Sequence, residues 1–442
     1  MEDALKSMKR GKSPGTDGLS VEFYLHFWDI LKQPLHNLFI DCIKKGEMTS
    51  SMKQGLISLI PKTDKDPLLI ENWRPISLLN VDYKLLALIL AVRLKSGLNS
   101  IIGETQNGFM KNRHISSNIR LVLDLIDYSE NIDSEAIIMF LDFYKAFDSL
   151  EHQFLLKSLS LFGFGSTFIN MVSMLYNDIN SSVLVGLQTT KRFNCDRGVR
   201  QGCPISPFLF LLAVELLSIV ILQNPSLEGI SIFSKEFKIS QLADDTTIFL
   251  KDQSQIPLCI NIINSFSEAS GLYLNVSKCE LFCLYDTQQS MLHNIPVKDC
   301  IKYLGIFLTK DRLLRQQLNF SPKIKKTRTI FNLWLQRDLS IYGRVLISKA
   351  EGLSRCVYPS LSLFVSDKIC DDINKILLNF IWKNKSHYIK KENICRSKIE
   401  GGLNALDFKT SNTIFKIKRL QNYKKKINKV YGIQYLILYF KK

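Results

Sequence analysis

Three aspartates in this sequence are spaced so that they can act together on a phosphate group. Asp142 ends a compact apolar run that begins at Glu135, and the pair Asp244–Asp245 stands between two short β-prone runs. If these strands lie side by side, three carboxylates meet at one end of a sheet, where divalent cations between them offset the repulsion. Two magnesium ions held in this way stabilise both the attacking and the leaving oxygen of a phosphoryl transfer. An Asp-Asp pair taken alone is more often an ordinary turn.

The elements that position these aspartates are predicted from the spacing of apolar and turn-forming residues. Residues 135–142 predict a strand, and 237–250 predict a hairpin with the aspartate pair at its tip. Together with helices between the strands, this order indicates an α+β core. The other predicted elements are a helix capped by Asp148 with Glu151 three residues on, a helix from an N-cap at Ser206 to Gln223, a helix over 256–269 ending at Gly271, and a strand through Leu281–Phe282.

Composition indicates a folded protein with a polyanionic partner. The 442 residues are 46% hydrophobic and 22% charged, which excludes a disordered chain. The formal net charge of +17 favours nucleic acid or an anionic membrane surface as a partner. Residues 383–442 contain 16 basic and three acidic residues, so most of the excess positive charge lies in this region. The region could bind a polyanion, or it could instead be a disordered end or a localisation signal.

Several other classes of site and location are disfavoured. The most apolar run, Phe208–Leu222, contains Glu215 and is shorter than the roughly 20 residues of a membrane span, so no membrane partner is expected. The first residues have no hydrophobic signal core, which predicts an intracellular protein, with nucleus and cytoplasm left open. The ten cysteines and six histidines lack zinc-binding spacing, so most cysteines are predicted to be core residues.

A series of short motifs follows a fixed order between residues 59 and 305. In chain order the motifs are Leu59–Lys62, Asn72–Leu78, Gln106–Phe109 with Arg113–His114, Phe140–Asp148, Gly198–Pro207, Leu242–Asp245, Gly271–Lys278 and Tyr303–Gly305. Together they resemble the reverse transcriptase of LINE-type (non-LTR) retrotransposons. Each motif alone is a weak signal, but their shared order makes the resemblance specific.

The resemblance implies a right-hand polymerase fold, with fingers, a palm built on an antiparallel sheet, and a helical thumb. We expect an N-terminal helical extension with a basic loop over 1–50, fingers and palm over 51–310, a helical thumb-like region over 311–382 and a basic region over 383–442. The thumb-like region would follow a phosphate backbone, although a solvated helix face with buried aromatics fits its pattern equally well.

The resemblance also assigns the metal ligands. Asp142 and Asp244 would bind two Mg²⁺ ions, for which Mn²⁺ is a possible substitute, with Asp245 as the third catalytic carboxylate and the backbone carbonyl of Phe143 as a further ligand. Asp148 is interpreted as a helix N-cap rather than a fourth ligand. Leu242 stands where the family usually has an aromatic residue, which predicts an altered packing contact beside the primer end.

Six further residues match nucleotide-binding positions of the family. Each charged one also has a simpler interpretation as a surface residue, and Phe147 has one as a core aromatic. Lys62 and Arg74 would contact the incoming triphosphate, Phe147 would exclude a ribose 2′-hydroxyl, Gln201 and Gly202 would lie against the template–primer and incoming base, and Lys278 would protonate the leaving pyrophosphate.

The resemblance implies an RNA-directed DNA polymerase that transfers nucleotides from dNTPs to a DNA primer 3′-hydroxyl on an RNA template. The alternative is a catalytically inactive nucleic-acid-binding remnant of such a polymerase. An RNA-directed RNA polymerase is disfavoured by Phe147. Because neither an endonuclease pattern nor a cysteine–histidine motif is recognisable, the chain is expected to be a polymerase-centred fragment of a longer element, and its oligomeric state stays open.

Overall fold

The computed structural model describes residues 1–63, 66–130, 135–232 and 235–430, with side chains described only to residue 421 in the last helix. Part of the basic region over 383–442, namely residues 431–442, therefore lies outside the described residues. The chain forms two compact units. Unit 1 comprises Met1–Asn118 and Ile132–Lys298, and unit 2 comprises Ile119–Asn131 and Asp299–Lys442.

Helices occur throughout the chain, and after residue 310 they form all of the regular structure that is described. A π-helical turn, Ser348–Leu353, follows the thirteenth helix. The helices are α1 (Glu2–Ser7), α2 (Val21–His26), α3 (Trp28–Lys45), α4 (Ser50–Lys53), α5 (Val81–Ile101), α6 (Ile115–Ser129), α7 (Ala146–Ser149), α8 (His152–Leu161), α9 (Ser166–Tyr176), α10 (Ser206–Gln223), α11 (Gln255–Ser270), α12 (Arg312–Leu335), α13 (Ile341–Ile347), α14 (Ser354–Ser362), α15 (Asp367–Ile381), α16 (Lys391–Cys395) and α17 (Phe408–Val430).

The described strands lie between residues 54 and 308, and all but the last two belong to unit 1. They are β1 (Gln54–Pro61), β2 (Trp73–Leu79), β3 (Ile137–Leu141), β4 (Asn180–Val185), β5 (Gln188–Thr189), β6 (Phe193–Asn194), β7 (Ile230–Ile232), β8 (Lys235–Phe237), β9 (Ile239–Leu242), β10 (Asp245–Leu250), β11 (Glu280–Cys283), β12 (Met291–Leu292), β13 (Ile295–Pro296), β14 (Ile301–Tyr303) and β15 (Ile306–Leu308). This mixture of sheet and helix confirms the predicted α+β class.

Unit 1 is built on two sheets. A five-stranded sheet has the order β2-β1-β4-β5, with β6 also paired to β4, and its only parallel pair among the described strands is β1 with β4. A four-stranded antiparallel sheet has the order β11-β3-β10-β9. All five residues of β3 are apolar and buried, as expected for the central part of a sheet covered on both faces.

Helix α10 is the main core helix of unit 1. Eleven of its 18 residues are buried, including Glu215. It is also the one helix among the described residues that is long and apolar enough to cross a membrane, and 61% of it is buried inside the protein. Its N-cap is Ile205, so the predicted start at Ser206–Pro207 is one residue late, while the predicted end at Gln223 is confirmed.

Unit 2 is formed by the hairpin β14–β15, the second half of α6 and helices α12 to α17. Its core contains the stacked rings of Phe331 and Phe380, whose centroids lie 4.1 Å apart. Buried Arg315 of α12 donates from its guanidinium to the Asp127 carboxylate of α6 at 3.3 Å and to the carbonyl of Thr309. Helices α12 to α15 lie within the region 311–382 that was predicted to be helical, whereas the four-part division of the chain stays a prediction.

The predicted helices and strands around the aspartates are largely confirmed. Helix α11 ends at Gly271, whose φ of +77° is the left-handed conformation that glycine adopts without a steric cost. Strand β11 contains the predicted Leu281–Phe282. Seven of the ten cysteines are buried, which confirms that most of them are core residues.

Candidate active site

Asp142 and Asp245 meet at one end of the four-stranded sheet. Strand β3 ends at Leu141, which pairs with Thr246 of β10, and the same antiparallel register places Asp142 opposite Asp245 one residue further on. The carbonyl of Asp142 accepts a hydrogen bond from the Asn275 N–H at 2.7 Å, which fixes the backbone beyond the strand end. The register of the sheet therefore confirms the predicted approach of these two strands.

The hairpin tip differs from the prediction by one residue. The turn consists of Ala243 and Asp244, while Asp245 is the first residue of β10 and pairs with Leu242. Ala243 adopts a φ of +56°, which allows a two-residue turn between strands that twist in the usual sense. Asp244 therefore belongs to the turn, whereas Asp245 belongs to the sheet.

The carboxylates repel one another. Desolvation by burial, followed by the charge of Asp142, raises the pKa of half-buried Asp244. Asp245 as a whole residue is exposed, but its carboxylate is partly desolvated by the surrounding protein. This desolvation, together with the charges of Asp244 and Asp142, raises the pKa of Asp245 to about 6. A site that holds several acidic groups at elevated pKa is favourable for a cation, because the cation removes the repulsion.

The donor set suits a hard divalent cation without forming a closed metal site. Carboxylate and backbone carbonyl oxygens are the ligands that magnesium prefers, and Asp142, Phe143, Asp244 and Asp245 provide them. The main chain at Phe143 forms an isolated antiparallel bridge with Leu274. Across the described ranges, no three His, Cys, Asp or Glu side chains are grouped closely enough to hold a metal on their own.

Lys278 lies beside the carboxylates. It ends a 3₁₀ turn, Val276–Lys278, and its Nζ is 3.9 Å from Oδ2 of Asp142. The lysine side chain is 65% exposed, and that of Asp142 is 44% exposed. Both sequence interpretations therefore retain support, since Lys278 is a surface residue that also reaches the predicted site.

Phe147 is half-buried and packs against the core helix α10. Its ring stacks on that of Phe210 with centroids 4.3 Å apart and an angle of 15° between the planes. The Phe147 carbonyl accepts a hydrogen bond from the Val199 N–H at 2.7 Å. One face of the ring is thus fixed by packing. This arrangement fits both predicted roles of Phe147, namely exclusion of a ribose 2′-hydroxyl and a core aromatic.

Gln201 and Gly202 lie against β2, the edge strand of the five-stranded sheet. The carbonyl of Gln201 accepts from the Ser77 N–H at 2.9 Å. Gly202 has a φ of +114°, and a Cβ at this position would lie 2.6 Å from the Ser77 carbonyl oxygen, so the close approach requires glycine.

The prediction that Asp148 is a helix N-cap is wrong. Asp148 lies inside the short helix α7, and helix α8 is instead preceded by Glu151, whose side chain forms no capping hydrogen bond. The Asp148 carboxylate accepts a hydrogen bond from the side-chain amide of Gln201 at 2.9 Å. This contact across 53 residues of sequence competes successfully with local capping, because it satisfies a carboxylate whose pKa is raised by burial.

Lys62 and Arg74 lie at the far end of the β1–β2 hairpin, on the five-stranded rather than the four-stranded sheet. Lys62 follows β1, and its Nζ donates to the Glu71 carbonyl at 2.9 Å. Arg74 is exposed and pairs with Ile60 in the strand register. Residues 64–65 of the connecting loop lie outside the described residues. The structure thus places both cations on the predicted fingers element and gives neither a contact with the aspartates.

A cleft of about 440 Å³ opens beside Gln201. It is lined by residues of the five-stranded sheet, including Ser77 and Ser181, and by the segment 193–201, with Asp148 at its wall. The three predicted catalytic aspartates do not line this cleft. The cleft is therefore lined by the predicted nucleotide-binding residue Gln201 and not by the three aspartates.

One buried residue at this site was not predicted to have a functional role. The side chain of Gln106 is fully buried and hydrogen-bonds to the main chain of Ala243 in the turn that carries Asp244. Its position in a motif between α5 and α6, ahead of Gly108, is the only signal in the sequence that could have indicated it. The contact joins residues 137 positions apart, which no local pattern predicts.

The chain is similar to a known protein family and to solved structures. Residues 60–308 match the family described as "Reverse transcriptase (RNA-dependent DNA polymerase)", a segment that contains all the predicted site residues. A solved structure of telomerase from Candida albicans in complex with a fragment of telomeric RNA aligns with 82% of this chain and 64% of its own, at 14% identity and a TM-score of 0.42.

Curated relatives come from transposable elements. The transposon TX1 uncharacterized 149 kDa protein of Xenopus laevis is 30% identical over 96% of this chain and 33% of its own length. The Pol polyprotein of the R2DM element of Drosophila melanogaster is 29% identical over 60% of this chain and 24% of its own. The RNA-directed DNA polymerase from the mobile element jockey, also of Drosophila melanogaster, is 23% identical over 80% of this chain and 40% of its own. The chain thus spans well under half of the length of these relatives.

Proposed function

This chain belongs to the reverse transcriptase (RNA-dependent DNA polymerase) family, and we propose that it extends a DNA primer on an RNA template with deoxynucleoside triphosphates. Its similarity to proteins of the TX1, R2 and jockey elements confirms the predicted relation to non-LTR retrotransposons. The family fold is the right-hand polymerase, which agrees with the antiparallel sheet that carries the aspartates.

The observation that carries this proposal is the convergence of Asp142, Asp244 and Asp245 at one end of paired strands. Burial and mutual repulsion raise the pKa values of Asp244 and Asp245, so the site is short of positive charge. Lys278 is the neighbouring cation, and it faces Asp142 at 3.9 Å. A cluster of this kind gains most from the divalent ions and triphosphate that a polymerase reaction brings to it.

Reverse transcriptases use divalent metal ions, and we propose two Mg²⁺ ions here, with Mn²⁺ as a substitute. Asp142, Asp244 and Asp245 would hold them, together with the Phe143 carbonyl. When bound, such ions increase the acidity of the primer 3′-hydroxyl and neutralise charge on the triphosphate and the departing pyrophosphate.

The remaining proposed roles belong to the side chains themselves. Lys62 and Arg74 bind the triphosphate as a point charge and a planar fork. Gln201 and Gly202 support the template–primer and incoming base, and the Phe147 ring occupies the space of a ribose 2′-hydroxyl. The primer 3′-oxygen bonds to the α-phosphorus as the bond to pyrophosphate breaks. The hydroxyl proton passes to water, and Lys278 donates a proton to the pyrophosphate.

The proposed partners are an RNA template, a DNA primer and dNTPs. The net charge of +17 supports binding to polyanions, and within unit 2 the exposed Lys385 and Lys398 are among the basic residues of the predicted basic region. An intracellular location is proposed with them, because these substrates occur inside cells.

The proposal is tested by extension of a DNA primer on an RNA template with Mg²⁺, comparing the wild type with Asp244→Asn. We expect extension by the wild type and its loss in the variant, with unchanged template binding and unfolding midpoint. Asp252→Asn is the matched control, since Asp252 follows the other end of β10, where an asparagine oxygen still accepts from the Ser254 N–H. Full activity of Asp244→Asn would contradict the assignment. Equal template binding without extension by either protein would favour the inactive remnant.

A further inference from the structure

A glutamine side chain holds the turn that carries the proposed catalytic carboxylates. Oε1 of Gln106 accepts a hydrogen bond from the Ala243 N–H at 2.8 Å, and its Nε2 donates to the Ala243 carbonyl at 3.2 Å. The amide group therefore pairs with both polar groups of one turn residue, as a neighbouring strand would. The Gly108 N–H donates to the same Oε1 at 2.8 Å, which fixes the orientation of the amide.

The turn needs such support. Ala243 adopts a φ of +56°, a left-handed conformation that costs a residue with a Cβ free energy. Gly108 lies so close that a Cβ there would be 2.5 Å from the Ala243 nitrogen. The loop thus approaches the turn backbone directly, and Gln106 provides hydrogen bonds that compensate for the unfavourable φ.

The loop that carries Gln106 is itself fixed. The Arg113 guanidinium donates to the carbonyls of Ile102, Gly103 and Gln106, the last at 2.6 Å. The Gly103 N–H donates to the carboxylate of buried Glu215 in α10 at 2.8 Å. The loop is therefore attached to the core helix, and its position does not depend on the hairpin alone.

The strands below the turn are fixed by a second set of buried polar contacts. The Gln241 N–H donates to the Thr105 carbonyl at 2.8 Å, and the Asn107 N–H donates to the Gln241 carbonyl at 2.9 Å. The Gln241 amide donates to Thr246 Oγ1 at 3.2 Å, and Thr246 Oγ1 donates to the Asp244 carbonyl at 3.3 Å. Gln241 and Thr246 are buried, and buried polar groups with paired partners favour one arrangement of the chain.

We propose that Gln106 is a positioning residue that sets the location of Asp244 and Asp245 through the backbone of Ala243. It does not contact substrate or metal. Its function is to keep the turn in its left-handed conformation, so that the two carboxylates keep their place relative to Asp142. This inference rests on the proposed polymerase function, because it assigns the hairpin tip to that reaction.

The test replaces Gln106 by methionine, which has a similar length and volume but no hydrogen-bonding amide. We expect kcat for primer extension to fall by ~10²-fold, because a displacement of about 1 Å in a reacting group has that effect. The KM for dNTP and the affinity for template–primer are expected to stay within about threefold of the wild type. Hydrogen exchange measured by mass spectrometry should show faster exchange in the peptide that contains residues 239–246.

Gln316→Met is the matched control. Gln316 is a buried glutamine of unit 2, and its Oε1 accepts from the Ser366 N–H at 3.1 Å, so the same change also removes a buried amide. It should lower the unfolding temperature to an extent comparable with Gln106→Met, while kcat and exchange at the hairpin stay at wild-type values. If Gln106→Met does not fold, Gln106→Asn replaces it, since its polar amide is one methylene too short to keep both bonds to Ala243.

The two proposals fail in different ways. If the wild type extends primers and the Gln106 variants match it in kcat and hairpin exchange, the positioning role is wrong and the polymerase function stands. If the wild type does not extend primers, the polymerase proposal fails, and hydrogen exchange alone decides whether Gln106 holds the turn. A fall in kcat without faster exchange at residues 239–246 would also overturn the positioning role.

Discussion

The side-chain amide of Gln201 donates a hydrogen bond to the Asp148 carboxylate at 2.9 Å, so two residues from separate sequence motifs orient one another. The main chain of Gln201 is held as well, because its carbonyl accepts from the Ser77 N–H. The Gln201 amide, which we propose lies against the template–primer and incoming base, is therefore held in place by the Asp148 carboxylate. We therefore expect Asp148 to act through its contact with Gln201.

Removing the Asp148 carboxylate should release the Gln201 amide. We expect Asp148→Ala to lower kcat/KM for dNTP by about tenfold. This factor corresponds to the free energy that one hydrogen bond to a charged group contributes. Asp148→Asn keeps an oxygen that accepts from Gln201 and should stay close to the wild type. Steady-state primer extension at varied dNTP measures both. Equal losses in the two variants would indicate that the charge of Asp148, rather than its contact with Gln201, is what matters.

Phe147→Val should open the proposed space for a ribose. We expect the ratio of kcat/KM for ribonucleotides to that for deoxynucleotides to rise by about 10–100-fold, the range that a change of one or a few methylenes in a pocket produces. Single-nucleotide incorporation assays measure this ratio. Phe154→Val is the control, since Phe154 is half-buried and packs edge-on against Phe266. A loss of stability without a change in the ratio would identify Phe147 as a core aromatic only.

Lys278→Ala distinguishes a proton donor from a surface lysine. If Lys278 protonates pyrophosphate, kcat for primer extension should fall by ~10²-fold, the lower range of general acid catalysis. Lys298→Ala is a matched control, because Lys298 is a half-exposed lysine that pairs with the Glu280 carboxylate at 3.0 Å. Rapid-quench measurement of a single incorporation isolates the chemical step. Wild-type rates in Lys278→Ala would assign this residue to the surface.

Glu215 should make stability depend on pH. Burial raises its pKa above the ordinary value of 4.5, despite the Gly103 N–H and the charge of Arg113, which lower it. The folded protein therefore binds this proton more readily than the unfolded chain, and the contribution of Glu215 to stability falls as pH rises above 4.5. Glu215→Gln keeps the acceptor for Gly103 and removes the charge.

We expect Glu215→Gln to unfold at a urea concentration a few tenths of a molar higher than the wild type at pH 7. The difference should shrink towards pH 4, where Glu215 becomes protonated. Urea denaturation, monitored by fluorescence at several pH values, measures this difference in stability. Glu228→Gln is the control, because Glu228 is a surface carboxylate that pairs with Lys251. A variant that is less stable than the wild type at pH 7 would contradict this account.

The sequence predicted the elements around the aspartates well, because their signals are local. The apolar run before Asp142 is long enough for a buried strand, and Gly271 is a typical helix C-cap. The hairpin was also predicted, but its turn was placed one residue late. Asp-Asp is the more common turn pair, whereas the actual turn requires an alanine at a φ of +56° that contacts from Gln106 support.

The contacts that fix the site were not predictable in the same way. Asp148 has the local pattern of an N-cap, yet it bonds to Gln201, 53 residues later. Gln106 and Ala243 are 137 residues apart, and neither lies in an element whose periodicity indicates the other. The residues proposed to carry the chemistry were therefore predictable from the sequence, whereas the side chains that hold them in place depend on tertiary contacts.

The order of the four-stranded sheet has a consequence for how the protein folds during synthesis. Among the described strands, the inner strand β3 pairs only with β10 and β11, which follow more than 100 residues later. The ribosome must therefore release most of unit 1 before this sheet can form, and the apolar β3 waits unpaired in the meantime. Long-range pairing of this kind is slow and leaves hydrophobic segments open to aggregation. Production of the protein should accordingly benefit from slower synthesis at low temperature and from chaperones that shield the nascent chain.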